Sequence, residues 1–352
     1  MRIALIHDYL TYFGGAERTF KTLIKLFPEA EVYTLFYDTK IKKKFFSNIK
    51  IKTSFLQKFP SVFRKKYQLL LPFLPVAVET LDFREFDLVI SSSHSFAKGI
   101  ITRPKTTHIC YCYSPTRYLW DSSHSHFILH SFRIWDRQAS ERVDYFVAIS
   151  KTVQKRIKKY YKRDSVVIYP PAQIFNYQLS ISKPKKEFYL IVSQLRKYKR
   201  IDIAIEAFNK LGLELIIIGD GPERKKLQKR AKKNIKFLGW QPDKIVSKYY
   251  KSCTAFIFPS EDDFGIAPVE AMSYGKPVLA YRKGGATETI IEGKTGEFFN
   301  WQHPAVLADG IRRLRQNLSK YEPEFIHNHA KKFSQERFEK EFKEFIEETM
   351  SN

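Results

Sequence analysis

The stretch FPSEDDFGIAPVE, from Phe258 to Glu270, decides the fold. The apolar run Ala255–Phe258 reads as a buried strand that stops at Pro259, and Glu261, Asp262 and Asp263 follow at once. Phe264-Gly265 makes a turn, and a helix opens before Pro268-Val269-Glu270. Polar groups between the C-terminal end of a buried strand and a helix N-terminus mark where open α/β sheets bind ligands. Asp262 and Glu270 are eight positions apart across this strand–loop–helix turn, so both carboxylates can face one ligand. Carboxylates there suit hydroxyl-rich groups such as ribose or a sugar, and the helix N-terminus suits phosphate. Taken alone, the stretch also reads as a solvated acidic loop before an ordinary helix.

The same strand-to-helix alternation extends in both directions. Before it lie apolar runs at Phe188–Val192, Leu215–Ile218 and Ile235–Leu238, and after it Val278–Ala280. An earlier series holds Arg2–Ile6, Asp87–Ser91, Tyr145–Ala148 and Val166–Tyr169. Helical spacing appears at Phe20, Leu23, Ile24 and Phe27, and again at Ile201, Ala204, Ile205 and Phe208. Two successive β/α arrays imply two Rossmann-like domains. The expected boundaries are 1–172 and 173–333, with a polar linker around Ile174–Lys186. A C-terminal helix over 334–352 starts at the N-cap Ser334, and its stripe of Phe338, Phe342, Phe345 and Ile346 must pack on something.

A chain of 352 residues with 43% apolar content has the cores for two domains and is not disordered. No apolar run is long enough to span a bilayer, and three cysteines make no disulfide framework. Cys110 and Cys112 read as small buried hydrophobes on one strand, in keeping with a cytoplasmic setting. The net charge of +24 calls for anionic partners: nucleic acid, anionic lipid or phosphorylated ligands. No nucleic-acid reading motif accompanies it. In IKKKFFSNIKIK (Ile41–Lys52) and FRKKYQLLLPFLPVAV (Phe63–Val78), basic and apolar residues alternate closely. That pattern suits a face lying on an anionic membrane, or else a solvated basic face beside a core helix.

Several turns carry the residues for phosphate and sugar chemistry. His7-Asp8-Tyr9 ends the first strand, and Gly14-Gly15-Ala16-Glu17 opens a helix where backbone N–H groups can approach a phosphate. Gly219-Asp220-Gly221-Pro222 ends another strand, and SQLRKYKR (Ser193–Arg200) follows a strand with a dense positive charge that invites a diphosphate. Gly284-Gly285 precedes a helix in the same way as Gly14-Gly15. Each of these glycine turns also reads as an ordinary tight turn. No histidine pairing has metal-ligand spacing on a helix, and His124 and His126 lie in a Ser/His-rich loop, so no metal and no cofactor is expected.

Together, HDYLTYFGGAER (His7–Arg18), YCYSPTRYLWD (Tyr111–Asp121), YKRIDIAIEAF (Tyr198–Phe208), IIIGDGP (Ile216–Pro222), FLGW (Phe237–Trp240), DDFGIAPVEAMSYGKPVLAY (Asp262–Tyr281) and GGATETI (Gly284–Ile290) resemble the retaining, nucleotide-sugar-dependent glycosyltransferases of family four. The resemblance implies a GT-B architecture: an α/β chain of two Rossmann-like domains with a cleft between them, and a C-terminal helix that crosses back to the first. It implies that the second domain binds the nucleotide sugar and the first binds the acceptor. Glu270 would hold the ribose hydroxyls, and Asp262, standing where the family usually has the first glutamate of its pair, would face the transferred sugar. Lys199 matches the diphosphate lysine. Its usual arginine partner falls at Gln194, with Arg196 as the replacement charge. Gly14 and Gly15 match the loop that approaches the donor phosphate. Phe264, Gly265 and Ile266 would offer backbone N–H groups, and Gly219, Gly221 and Trp240 complete the expected donor set.

His94 corresponds to the family's first-domain histidine near the reacting carbon. With Asp262 and Lys199 it makes up the expected catalytic set, and His7, Asp8, Tyr113 and Arg117 make up the acceptor side. The implied reaction moves a hexosyl group, mannose from GDP-mannose first and a UDP-hexose as the alternative, to a lipid-linked or growing surface glycan. It proceeds with retention and without metal, at the inner face of the cell membrane. A nucleotide-sugar-binding protein without activity is the other reading.

Overall fold

The computed structural model describes residues 1–65, 67–121, 127–175 and 187–351. The expected linker after Phe175, together with His124 and His126, lies outside them. The chain forms two compact units, Met1–Pro170 with Glu339–Asn352, and Pro171–Phe338.

Among the described residues, the first unit holds a seven-stranded parallel sheet in the order β3-β2-β1-β4-β5-β6-β7. Its strands are β1 Ile3–His7, β2 Glu31–Thr34, β3 Ile51–Thr53, β4 Leu88–Ser93, β5 Thr107–Cys112, β6 Tyr145–Ala148 and β7 Val166–Val167. The second unit holds a six-stranded parallel sheet, β10-β9-β8-β11-β12-β13. Its strands are β8 Tyr189–Val192, β9 Leu215–Ile218, β10 Ile235–Gly239, β11 Ala255–Phe258, β12 Val278–Tyr281 and β13 Gly296–Phe299. Helices cover both faces of a parallel sheet, so its strands are buried throughout and read as unbroken apolar runs. LIII, AFIF and VLAY are buried at every residue.

Both sheets have the doubly wound order of a dinucleotide-binding fold. Chain direction across the sheet reverses between β1 and β4 in the first unit and between β8 and β11 in the second. Crossovers leave on opposite faces at such a point, so a crevice opens at the strands' C-terminal ends. β7 is only two residues long, where the sequence suggests four; Pro170-Pro171 just beyond lack the N–H groups to extend the ladder. The final helix, Gln335–Ser351, buries Phe338, Phe342 and Ile346. Its Phe342 ring lies 6.4 Å from Phe27 and 5.8 Å from Tyr111 within the first unit.

Within β5, fully buried His108 is held neutral. Ser91 Oγ lies 2.8 Å from its Nε2, and its Nδ1 lies 3.3 Å from the Arg142 carbonyl. Burial depresses its pKa from 6.5 to about 4. The unfolded chain therefore takes up a proton that the folded one refuses as pH falls below 6.5, and stability drops until about pH 4. We expect wild type to lose roughly 3 kcal/mol more than His108→Gln over that window. Urea unfolding of both proteins across the pH range checks this, and parallel profiles would contradict it.

Candidate active-site residues

The loops that leave β8 and β11 meet at the reversal point of the second sheet. Lys199 Nζ donates to Asp262 Oδ2 across 63 positions of sequence. The two side chains are only 15% and 16% exposed. The other Asp262 oxygen, Oδ1, is buried without a hydrogen-bond partner among the described residues. The acidic loop is clamped by the loop that follows β12, where the Gly285 N–H donates to the Asp262 carbonyl at 2.9 Å. A Cβ at Gly285 would sit 2.3 Å from Phe264 Cα, so only glycine admits this approach. Phe264 is buried, and Gly265 takes φ +91° at the start of the helix Ile266–Ser273. No side chain among the described residues caps that helix, which leaves its first-turn N–H groups for an anion. Glu270, one turn in, accepts from the buried Tyr250 hydroxyl at 3.2 Å, which fixes its carboxylate.

The rest of the expected donor set lies on neighbouring strand ends. Gln194 Oε1 accepts from Arg196 Nε at 3.1 Å, so the uncharged residue steers the exposed guanidinium beside it. Arg200 is turned away, toward Gln302 at 3.2 Å and Asp202 at 3.4 Å. Gly219 has φ +133°, and a Cβ there would lie 1.8 Å from the Ser193 carbonyl oxygen. Its N–H donates to the Gly239 carbonyl at 2.8 Å, which brings exposed Trp240 alongside. Gly221 packs in the same way against the Leu195 carbonyl.

In the first unit the corresponding reversal point holds Asp8, after β1, and His94, after β4. Asp8 is fully buried and accepts from the N–H groups of His94 at 2.6 Å, Ser95 at 3.0 Å and Ala97 at 2.6 Å. Desolvation would raise its pKa, but the His94 and His7 charges and the backbone donors outweigh it, so the carboxyl is held below its ordinary value. Asp8 thus builds the loop that carries His94, whose side chain is 22% exposed with Nδ1 at 3.6 Å from Asp8. His7 is buried between the Phe20 ring, stacked at 4.9 Å, and Ser92 Oγ at 3.0 Å.

Tyr113 is buried, and its hydroxyl is engaged by the Ala16 carbonyl and Ser92 Oγ, each at 2.9 Å. Its hydroxyl thereby ties together the strand end at Tyr113, β4 and the Gly15–Leu26 helix. Arg117 opens the short helix Arg117–Trp120 and pairs with Asp121 at 3.1 Å. Gly14 is the N-cap of Gly15–Leu26, and its N–H donates to Glu17 Oε2 at 2.8 Å.

Two features were not assigned from sequence. Glu17 is fully buried, with Oε1 3.6 Å from His7 Nε2; glutamate three positions after the N-cap is a capping pattern, so the signal was present. His7, Glu17 and His94 bring their ligand-type atoms within 4.8 Å of one another, a grouping hidden by their sequence separation. The second is Asp136, buried in the helix Phe127–Ala139. It accepts from Lys98 Nζ, from Thr116 Oγ1 at 2.8 Å, from Trp120 Nε1 at 2.7 Å and from the Tyr161 hydroxyl at 2.8 Å. Those donors come from the loops after β4 and β5 and from a further helix, and no local motif marks the aspartate.

Comparison with known proteins gives the family. The model of group 1 glycosyl transferases matches residues 176–333, and that of glycosyltransferase family 4 matches residues 13–173. An uncharacterized glycosyltransferase of Methanocaldococcus jannaschii is 25% identical over 96% of this chain and 95% of its own. The O-antigen chain mannosyltransferase C of Escherichia coli is 29% identical over 30% of this chain and 31% of its own. Among solved structures, Anabaena HepE in complex with UDP superposes with a TM-score of 0.77 at 20% identity, over 99% of this chain and 100% of its own. HepE has also been solved with UDP-glucose. With one model matching each half, the chain belongs to the group 1, family 4 glycosyltransferases.

Proposed function

We propose that this chain transfers a hexosyl residue from a nucleotide sugar to a hydroxyl of a lipid-linked or growing surface glycan, with retention of anomeric configuration, at the inner face of the cell membrane. The Lys199–Asp262 pair beside the uncapped Ile266–Ser273 helix carries this reading. When a nucleoside diphosphate leaves the anomeric carbon, negative charge grows on its phosphate oxygens. Lys199, Arg196 and the helix N–H groups stabilise that charge where it develops. Asp262, with one oxygen unpartnered, accepts from sugar hydroxyls, and Glu270 accepts from the ribose hydroxyls. The acceptor hydroxyl attacks from the face the phosphate leaves, and that phosphate takes its proton, so no second catalytic carboxylate is needed. In the first unit we assign His94, on the loop built by Asp8, to catalysis and Arg117 to acceptor binding.

The donor we propose first is GDP-mannose, in line with the named mannosyltransferase relative. A UDP-hexose is the alternative, in line with the UDP-glucose complex of HepE. Incubation with each donor and a polyprenyl-diphosphate-linked sugar, without added metal, tests the reading by NMR of the product. An α-linked product from one donor series is expected. A β-linked product would overturn retention, and donor binding with no transfer to any such acceptor would overturn the activity.

A further inference from the structure

Between Thr39 and Val78 the chain holds ten lysines and arginines and no aspartate or glutamate. Such a stretch in a folded unit has no internal counter-charge of its own. The same stretch is unusually apolar on its outer side. Phe55, Val62, Phe63, Leu69, Phe73 and Val76 are exposed, with Val62 at 62%, Leu69 at 55% and Val76 at 53%. These six come from one short segment of a 352-residue chain, yet they make up a third of the exposed large apolar residues found among the described positions.

The structure divides this segment residue by residue. Leu56, Leu70, Leu74, Ala77 and Val78 are buried in the core of the first unit, with Phe59 and Leu71 packed against it. Core packing therefore accounts for the inner set alone. Part of the outer set is linked through the half-buried Phe59 ring, which lies 6.5 Å from Phe55 and 5.9 Å from Phe73. Exposed Lys40, Lys43, Lys50 and Lys58 belong to the same segment. No helix among the described residues is long and apolar enough to cross a membrane. Folding gains nothing from leaving large apolar side chains in water, and their concentration in one segment marks an interaction surface.

We infer that this face is a docking surface for an anionic lipid bilayer. The lysines lie over the headgroups, and Val62, Phe63, Leu69, Phe73 and Val76 enter the headgroup–acyl boundary. Neither half of the patch suits another partner as well. A polyanion would use the cations and leave the apolar side chains in water, whereas a bilayer surface takes up both. This inference deepens the reading of the acceptor as lipid-linked, and its test measures binding without turnover, so the two can fail separately.

The test is flotation of the full chain with phosphatidylglycerol/phosphatidylcholine vesicles, with pure phosphatidylcholine vesicles as the comparison. Two variants accompany wild type: Lys40, Lys43, Lys50 and Lys58→Gln together, and Phe63, Leu69 and Val76→Ser together. All seven positions are exposed, and melting curves confirm folding. Wild type is expected to float with anionic vesicles only, and less so at high salt. The charge variant should bind on the order of six hundredfold more weakly at low salt, at about fivefold per cation. The apolar variant should also lose flotation while its retention on heparin stays unchanged. Three results would overturn the inference: no flotation of wild type with anionic vesicles, equal flotation with neutral ones, or an apolar variant that floats like wild type, which would make the face a site for polyanions.

Discussion

Lys199→Ala is expected to lower kcat for sugar transfer by about 10²- to 10³-fold, the usual cost of removing one preorganised donor from a developing oxyanion. The ammonium sits on the short turn Lys197–Lys199, held by the Lys199 N–H to Arg196 carbonyl bond at 3.0 Å. Its position is therefore set before any ligand arrives. In the free chain Asp262 is its counter-ion. A diphosphate, with more charge and more acceptor oxygens, competes for the same ammonium. Donor KM should rise as well, because part of this interaction exists before the bond breaks. The fold should be little affected, since the pair retains access to water and Asp262 can rehydrate. Steady-state kinetics with a melting curve separate the two effects. A variant with unchanged kcat would remove Lys199 from the chemistry.

Asp136→Ala is expected to cost the first unit roughly 3–5 kcal/mol, the usual consequence of stranding one half of a buried ion pair. Lys98 and Asp136 side chains are 2% and 1% exposed, so water cannot replace the lost partner. Thr116, Trp120 and Tyr161 lose their acceptor in the same step. Removing both charges in Lys98→Met/Asp136→Leu should cost less than Asp136→Ala alone, because no buried charge is then left unpaired. Urea unfolding of the three proteins checks the order. A cost under about 1 kcal/mol for Asp136→Ala would show that the network is already hydrated.

How much of this could be read from sequence depends on whether the information is local. Five strands of the second sheet are legible as apolar runs, and LIII and AFIF, buried at every residue, announce themselves; Gly296–Phe299 is buried as well but escapes because GEFF holds a glycine and a glutamate. Their lateral order is not legible. That β8 lies between β9 and β11, and β1 between β2 and β4, is set by crossovers, and no apolar period reports it. This is why Lys199 and Asp262 could each be picked out as strand-end residues while their direct pairing could not. Short β3, Ile51–Thr53, escapes because its residues are only partly buried and carry a lysine in the middle. The partners of the Tyr113 hydroxyl, Ser92 Oγ and the Ala16 carbonyl, are likewise not legible, since they lie 21 and 97 positions away. Asp136 is invisible because its donors come from three separate segments. For Leu69–Val78, sequence left core and membrane face as rival readings; burial shows Leu70 and Leu74 serving the core while Leu69 and Phe73 face outward.

The strand ends around Lys199, Asp262 and Glu270 are proposed as a nucleotide-sugar donor site. Titration calorimetry of GDP, UDP, GDP-mannose and UDP-glucose into wild type and Lys199→Ala, without added metal, tests it most directly. Saturable binding of one base series to wild type is expected, weakened at least tenfold in the variant. Absence of binding by folded wild type, or equal affinity in the two proteins, would contradict it.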